Sequence, residues 1–182
     1  MDKRALEVIL TDQKAEIDNW SSEYLCSRYE ERLVDLNSPQ AQVVIGVRRS
    51  GKSTLCLQTL AEAGVVFAYV DFDDERLVDI EANQLNDILE VLYKIYGDFK
   101  YIFLDEIQEV KEVATAIKFL MERGDFDYIL SGSMLGVELK SIKSNPVGFM
   151  STLVMYPLDF EEFCWANGVN DDVLEEARIA FH

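Results

Sequence analysis

Residues 41–60, AQVVIGVRRSGKSTLCLQTL, decide the fold, because a short apolar run, a glycine-bracketed loop and a helix start follow one another without a break. Gln42-Val43-Val44-Ile45 reads as a buried strand, and residues 53–63 contain no Gly or Pro and read as a helix. Between them Gly46-Val47-Arg48-Arg49-Ser50-Gly51-Lys52-Ser53 fits G-x-x-x-x-G-K-[ST]. A loop of this kind wraps phosphates in successive backbone N–H groups, with the positive end of the next helix behind them. Gly46 and Gly51 supply backbone freedom that a side chain would block. Lys52 is expected to bridge the β- and γ-phosphates and the Ser53 hydroxyl to be one ligand of Mg²⁺. The expected nucleotide-binding set is Gly46, Val47, Arg48, Arg49, Ser50, Gly51, Lys52, Ser53 and Thr54. A glycine turn can match the pattern by chance, but a strand before it and a helix after it argue for phosphate binding.

At 182 residues and 49% hydrophobic, the chain is long enough for a substantial core and too apolar to be disordered. Its 34 acidic and 17 basic residues give a formal charge of −17, so the surface as a whole repels nucleic acid, and contact with it is not expected beyond a local patch. No membrane association is expected either: the longest apolar run, 63–70, is far shorter than the roughly twenty residues a spanning helix needs. The first ten residues mix charges with apolar groups and lack a signal-peptide core. Cys26, Cys56 and Cys164 are widely spaced and odd in number, and read as small apolar residues in a reducing, cytoplasmic setting. The only histidine, His182, is the last residue, which removes histidine catalysis and histidine metal ligation from consideration.

Ahead of the loop, residues 3–36 read as two helices, one striped by Leu6, Ile9, Leu10 and Ile17 and one by Tyr24, Leu25, Tyr29, Leu33, Val34 and Leu36. Trp20, Tyr24 and Tyr29 either cover the sheet or pack beside a base. Behind it, Gly64 stops the helix and 65–70 reads as a second buried strand, delivering Asp71, Asp73, Asp74 and Glu75 at its carboxyl end. Ligands of open parallel sheets bind at that end, so Asp71 or Asp73 either reaches the metal shell or sits in a solvated turn. A helix carrying Leu85, Ile88, Leu89, Leu92 and Tyr96 comes next. A third strand, 100–104, then runs straight into Asp105 and Glu106. A helix with Val113, Ala116, Ile117, Leu120 and Met121 on one face stops at Gly124, and 128–133 forms a fourth strand ending in Ser131 and Ser133. Residues 151–156 read as a fifth strand, Asp159-Phe160 opens a helix to Ala166, and 171–181 forms a last helix. Alternating strands and helices predict a parallel, doubly wound α/β sheet.

Transfer of a phosphoryl group to water needs a carboxylate on the metal shell, a group that activates the water and a contact that reads the γ-phosphate. Asp105, at the end of an apolar strand, is the candidate metal carboxylate, and Glu106 the candidate general base. Ser131 or Ser133 occupies the equivalent tip of the next strand, as a γ-phosphate or water contact or as an ordinary turn. Arg48 and Arg49 either neutralise phosphate charge or pair with the acidic cluster.

Five segments taken together carry a resemblance: residues 46–53 with the double arginine, YVDFDDERL at 69–77, YIFLDEIQEV at 101–110, YILSGS at 128–133 and YPLDFEEF at 156–163. In this order they resemble the prokaryotic AAA-type ATPases that carry a DUF4143 domain at the C-terminus. The resemblance covers about residues 40–165. It implies a P-loop NTPase of the ASCE, AAA-like type: a three-layer sandwich whose five-stranded, mainly parallel sheet has the order 5-1-4-3-2. It further implies binding of ATP and Mg²⁺, with Lys52 and Ser53 as the Walker A pair, Asp105 and Glu106 as the Walker B pair, and Ser131 or Ser133 as the first sensor. Two departures stand out. Members often have Gly-Arg before the fifth strand, whereas Gly148 is followed here by Phe149, and the chain stops soon after the 157–166 helix, with Arg178 in the last one.

The expected organisation is thus an N-terminal helical segment, 1–39, on a P-loop ATPase domain, 40–182, with a C-terminal domain lying beyond this chain. The expected activity is slow Mg-dependent ATP hydrolysis, coupled to that missing domain or to a protein partner. Oligomers are compatible with it. The alternative is a non-hydrolysing, nucleotide-gated binding switch.

Overall fold

The computed structural model describes residues 1–20, 28–29, 34–133 and 150–180. Most of the second N-terminal helix, Cys26, Gly148, Phe149, His182 and the side chain of Arg178 lie outside the described residues.

Five strands form one parallel sheet: β1 (Ala41–Gly46), β2 (Phe67–Asp71), β3 (Tyr101–Asp105), β4 (Asp127–Gly132) and β5 (Met150–Met155). Their spatial order is β2-β3-β4-β1-β5, which is the expected 5-1-4-3-2 read from the other edge. The helices are α1 (Lys3–Asp18), α2 (Lys52–Glu62), α3 (Leu85–Tyr96), α4 (Val113–Arg123), α5 (Phe160–Ala166) and α6 (Asp171–Ala180).

Side chains alternate across each strand, so one sheet feeds two cores. Tyr101 and Phe103 of β3 join Val44, Ile129 and Met155 against Leu55, Cys56 and Leu60 of α2. Ile102 and Leu104 join Val43, Val70 and Leu130 on the opposite face, against α1, α3 and α4. Cys56 is fully buried and Cys164 partly so, both as free thiols.

Local chemistry sets the element ends. Gly64, Gly97 and Gly124 take the positive φ that stops the preceding helices. Asp159 caps α5, accepting from the Glu162 N–H at 2.8 Å while Glu162 accepts from the Asp159 N–H at 3.1 Å. Two boundaries differ from the sequence reading. β2 starts at Phe67, because the C-terminal turn of α2 through Gly64 consumes the residues before it. Val34 and Leu36 are not helical: the Asp35 carboxylate accepts from the Asn37 N–H at 2.9 Å and closes a turn instead.

The α1 helix lies on α3 and β2, and its Gln13, only 3% exposed, reaches the carboxyl end of the sheet. That end also receives the β1–α2 loop and the tips of β3 and β4.

Candidate functional site

The loop that follows β1 is fixed by its backbone. A Cβ on Gly46 would stand 2.1 Å from the Met155 carbonyl oxygen of β5, so β1 and its neighbour can leave the sheet together only with glycine there. Arg49 and Gly51 adopt φ of 65° and 91°, left-handed turns that carry the chain back into α2. The Leu55 N–H then bonds the Gly51 carbonyl at 2.9 Å, opening that helix. Ser50 is buried and its hydroxyl has no hydrogen-bond partner among the described residues. Lys52 is 3% exposed; its Nζ donates to the Val47 carbonyl at 3.2 Å and stands 3.7 Å from Glu106 Oε1. The loop lysine and the strand-tip glutamate, distant in sequence, are therefore in contact.

Strand alternation turns Asp105 toward α2, the same face as Phe103. Its Oδ1 accepts from Ser53 Oγ at 2.9 Å and from Ser131 Oγ, and its Oδ2 accepts from the Tyr69 hydroxyl at 3.2 Å. Burial raises the Asp105 pKa against the pull of the Ser131, Ser53 and Tyr69 hydroxyls, and the charge of Glu106 raises it further. Tyr69 is in turn driven far above the ordinary phenol value by burial and by the charge of Asp105. The side-chain partners of this buried carboxylate are hydroxyls, which leave its charge uncompensated. A hydroxyl and a carboxylate in contact at the start of α2 are hard oxygen donors of the kind Mg²⁺ takes alongside phosphate oxygens, so the residues fit that ion. Among the described residues no group of three or more His, Cys, Asp or Glu side chains forms a self-sufficient metal site.

Glu106 leaves β3 in the left-handed region, φ 48° and ψ 46°, a strained conformation for a residue with a side chain. A 3₁₀ turn over Ile107–Glu109 follows, closed by the Glu109 N–H on the Glu106 carbonyl at 3.0 Å and anchored by the fully buried Ile107. Glu106 Oε2 accepts from Gln108 Nε2 at 2.5 Å and from the Ser133 N–H at 3.2 Å. Burial would raise the Glu106 pKa, but the Gln108 bond, the Lys52 charge and the Ser133 contacts together hold it below the usual carboxylate value. Ser131, fully buried, accepts from the Glu106 N–H at 3.2 Å through its hydroxyl while donating to Asp105. The two serines thus divide between the carboxylates: Ser131 bonds that of Asp105 through its hydroxyl, and Ser133 that of Glu106 through its backbone N–H.

The remaining predicted residues are placed around this cluster. Arg48 pairs with Asp73 of the acidic cluster at 3.0 Å, both side chains well exposed. Val47 and Arg49 are exposed and Thr54 is half-buried on α2. Asp71 faces Asp105 in register at the end of β2, but its backbone is tied to Gln13, which donates to the Asp71 carbonyl at 3.0 Å and accepts from its N–H at 3.1 Å. Burial raises Asp71 to about 6, against the pull of the Asp73 N–H, and the charge of Asp105 adds to the rise. Asp74 turns away to Arg76 and Gln13 and is lowered to about 2, chiefly by the Arg76 bond.

Several contributors escape the sequence reading. Arg28 donates to the Ser50 carbonyl at 2.9 Å, to the Tyr156 carbonyl at 2.7 Å and to Glu162 at 2.9 Å, joining the loop, the end of β5 and α5 through a buried ion pair. Nothing in the local sequence distinguishes this arginine. Tyr69, Gln13 and Gln108 lie in β2, α1 and the Ile107–Glu109 turn. The only available signal was Gln108, two positions after the carboxylate pair.

Compared with known protein families, residues 38–164 match the AAA domain. An uncharacterised protein of Methanocaldococcus jannaschii is 32% identical over 123 residues, covering 67% of this chain and 27% of that protein. An uncharacterised protein of Haemophilus influenzae is 28% identical over 139 residues, 71% of this chain and 34% of that one. The chain therefore spans about a quarter to a third of the length of these curated relatives. Among solved structures, a DNA polymerase III gamma subunit-related protein of Thermotoga maritima aligns with a TM-score of 0.48 at 18% identity, covering 72% of this chain and 45% of that chain. With the match spanning well over half of its 182 residues, the chain belongs to the AAA domain family, a family of P-loop, nucleotide-binding, ATPase-type modules.

Proposed function

We propose that this chain binds ATP with Mg²⁺ and hydrolyses the β–γ anhydride bond. One observation carries the reading: Lys52, Ser53, Asp105 and Glu106, drawn from two separate segments, meet at the carboxyl end of a parallel sheet, with Ser53 on Asp105 at 2.9 Å and Lys52 beside Glu106 at 3.7 Å. The loop N–H groups from Gly46 to Thr54 and the Lys52 ammonium bind the phosphates. Ser53 and Asp105 would hold Mg²⁺, which would supply charge neutralisation on the β- and γ-phosphates. Glu106 takes a proton from the attacking water as its oxygen bonds the γ-phosphorus and ADP departs with the bridging oxygen. Ser131, on Asp105, and Ser133, on Glu106, are the candidate sensors.

The test is phosphate release and ATP affinity for the wild type, Lys52→Ala and Glu106→Gln. Lys52→Ala is expected to lose ATP binding, and Glu106→Gln to keep it while losing turnover. Equal turnover by the wild type and Glu106→Gln, with both binding ATP, would sink the hydrolase reading. Turnover is expected to be slow, since an arginine supplied by another chain is worth roughly 10³–10⁵ in rate.

A nucleotide-gated switch is the second reading, favoured by where the arginines around the loop are directed: Arg48 toward Asp73, Arg28 toward Ser50, Tyr156 and Glu162. Partner capture with ATP against ADP separates the two, because a switch works equally well as Glu106→Gln. In both readings residues 1–39 precede an ATPase domain of residues 40–182, and their helix α1 packs on it. The five-motif resemblance supports a C-terminal DUF4143 region as the part driven, and the odd, widely spaced cysteines support a cytoplasmic protein.

A further inference from the structure

We infer that Gln108 is the positioning residue for Glu106, holding Oε2 of its carboxylate so that Oε1 is the atom left to take the proton from water; this rests on the hydrolytic reading. The two oxygens of Glu106 have different surroundings. Oε2 accepts from Gln108 Nε2 at 2.5 Å and from the Ser133 N–H at 3.2 Å, whereas Oε1 stands 3.7 Å from Lys52 Nζ, on the side of the phosphate loop. The amide of Gln108 can present only its NH₂ group to a carboxylate oxygen, so this orientation is dictated by chemistry. A glutamine serving structure alone satisfies both ends of its amide. Gln108 does not: Oε1 is buried with no hydrogen-bond partner among the described residues, and the other contacts of Nε2, Glu109 and Ser133, are long at 3.5 Å.

The backbone is built for this contact. Glu106 in the left-handed region reverses the chain as it leaves β3, and the single 3₁₀ turn that follows returns Gln108 to the glutamate it has just passed. An extended exit would carry Gln108 about 7 Å onward along the strand, away from the glutamate carboxylate. Strain held at one residue persists where the surroundings over-determine it, and here Ile107 packs fully buried beneath the turn. During hydrolysis the water oxygen bonds the γ-phosphorus, the bond to the β–γ bridging oxygen breaks, and the water proton passes to Glu106 Oε1. Gln108 gains and loses nothing; it fixes which oxygen does the work.

The experiment is a double-mutant cycle on the full chain, with steady-state ATP hydrolysis, ATP affinity and thermal unfolding for the wild type, Gln108→Leu, Glu106→Gln and the double variant. Gln108→Leu is expected to lower kcat about tenfold or more with the ATP Kd within about twofold, and to cost nothing further in the Glu106→Gln background. Gln108→Asn, one methylene short of reach, is expected to fall with the leucine variant and covers the case in which leucine does not fold. An unchanged kcat in the Gln108 variants, or the same loss in both backgrounds, overturns the positioning role while wild-type turnover leaves the hydrolytic reading standing. Absence of turnover by an ATP-binding wild type overturns both.

Discussion

Strands β2 and β3 lie side by side in register, and each delivers an aspartate to the same end of the sheet, Asp71 opposite Asp105. In sequence the two tips are alike, an aromatic and β-branched run that breaks into acids. In space they belong to different networks. Asp105 meets three hydroxyls and neighbours the loop lysine through Glu106; the backbone of Asp71 is clamped by a glutamine of α1, and its carboxylate accepts the Asp73 N–H at 2.9 Å. The difference comes from topology. β3 and β4 stand between β2 and the loop-bearing β1, so the acids of β2 sit at the edge of the sheet and those of β3 nearer its centre. A strand-end acid acquires a chemical role from the strand beside it more than from its own residues.

Exchanging the charge at both tips breaks the comparison most directly. Asp105→Asn is expected to reduce ATP turnover about a hundredfold or more, the loss of roughly 3 kcal/mol of transition-state stabilisation, whereas Asp71→Asn stays within about twofold in the same phosphate-release assay. Comparable losses from the two would show that the edge carboxylate also serves the site.

The loop side has a steric requirement that the edge lacks. Gly46→Ala drives a Cβ into the Met155 carbonyl, and the only relief is to part β1 from β5. We expect a loss of about 3 kcal/mol in denaturant unfolding, with ATP binding abolished in whatever remains folded. Gly64, where a Cβ would meet nothing within 4 Å, is the control: alanine there carries only the left-handed backbone penalty, about 1 kcal/mol. Equal costs at the two positions would remove the steric argument.

On the edge, Gln13→Leu leaves the half-buried Asp71 N–H and carbonyl without their side-chain partner. The expected cost is about 2 kcal/mol of stability, with kcat and the ATP Kd unchanged. A drop in kcat without loss of stability would show that α1 acts on the site through β2.

These contrasts also mark what the sequence makes legible. The alternation of strand and helix, the glycine-bracketed loop and the two carboxylates after YIFLD were readable because each rests on a short-range pattern: period-2 burial, left-handed glycine, an apolar run ending in charge. Ser131 and Ser133 were readable as a pair at a strand tip, but the division between them depends on which face each residue meets, which Glu106 in its left-handed turn decides. Arg28, Gln13 and Tyr69 were not legible. Their partners are 22 to 134 residues away, and a lone arginine, glutamine or tyrosine in a helix or strand carries no mark of where it will land.

The smallest effect expected is the most specific to the edge. Asp71 has its pKa raised from 3.8 to about 6, first by burial and then by the charge of Asp105. An acid raised on folding keeps its proton in the native state at pH values where the unfolded chain has released it. Stability therefore falls as pH rises from about 4 to about 6, and the cost is complete above that window. Asp71→Asn keeps the oxygen that accepts the Asp73 N–H and removes the charge, so the variant is expected to be more stable than the wild type at pH 8 and no more stable at pH 3.5. The shift alone would correspond to about 3 kcal/mol, which solvent screening at this half-buried carboxylate reduces to about 1 kcal/mol, a gain of about 3 °C in Tm for a chain of this length. Thermal scans at the two pH values with a metal chelator and no nucleotide decide it. A gain equal at both would assign the effect to hydrogen bonding, and the electrostatic contrast between the edge and the centre of the sheet would fall.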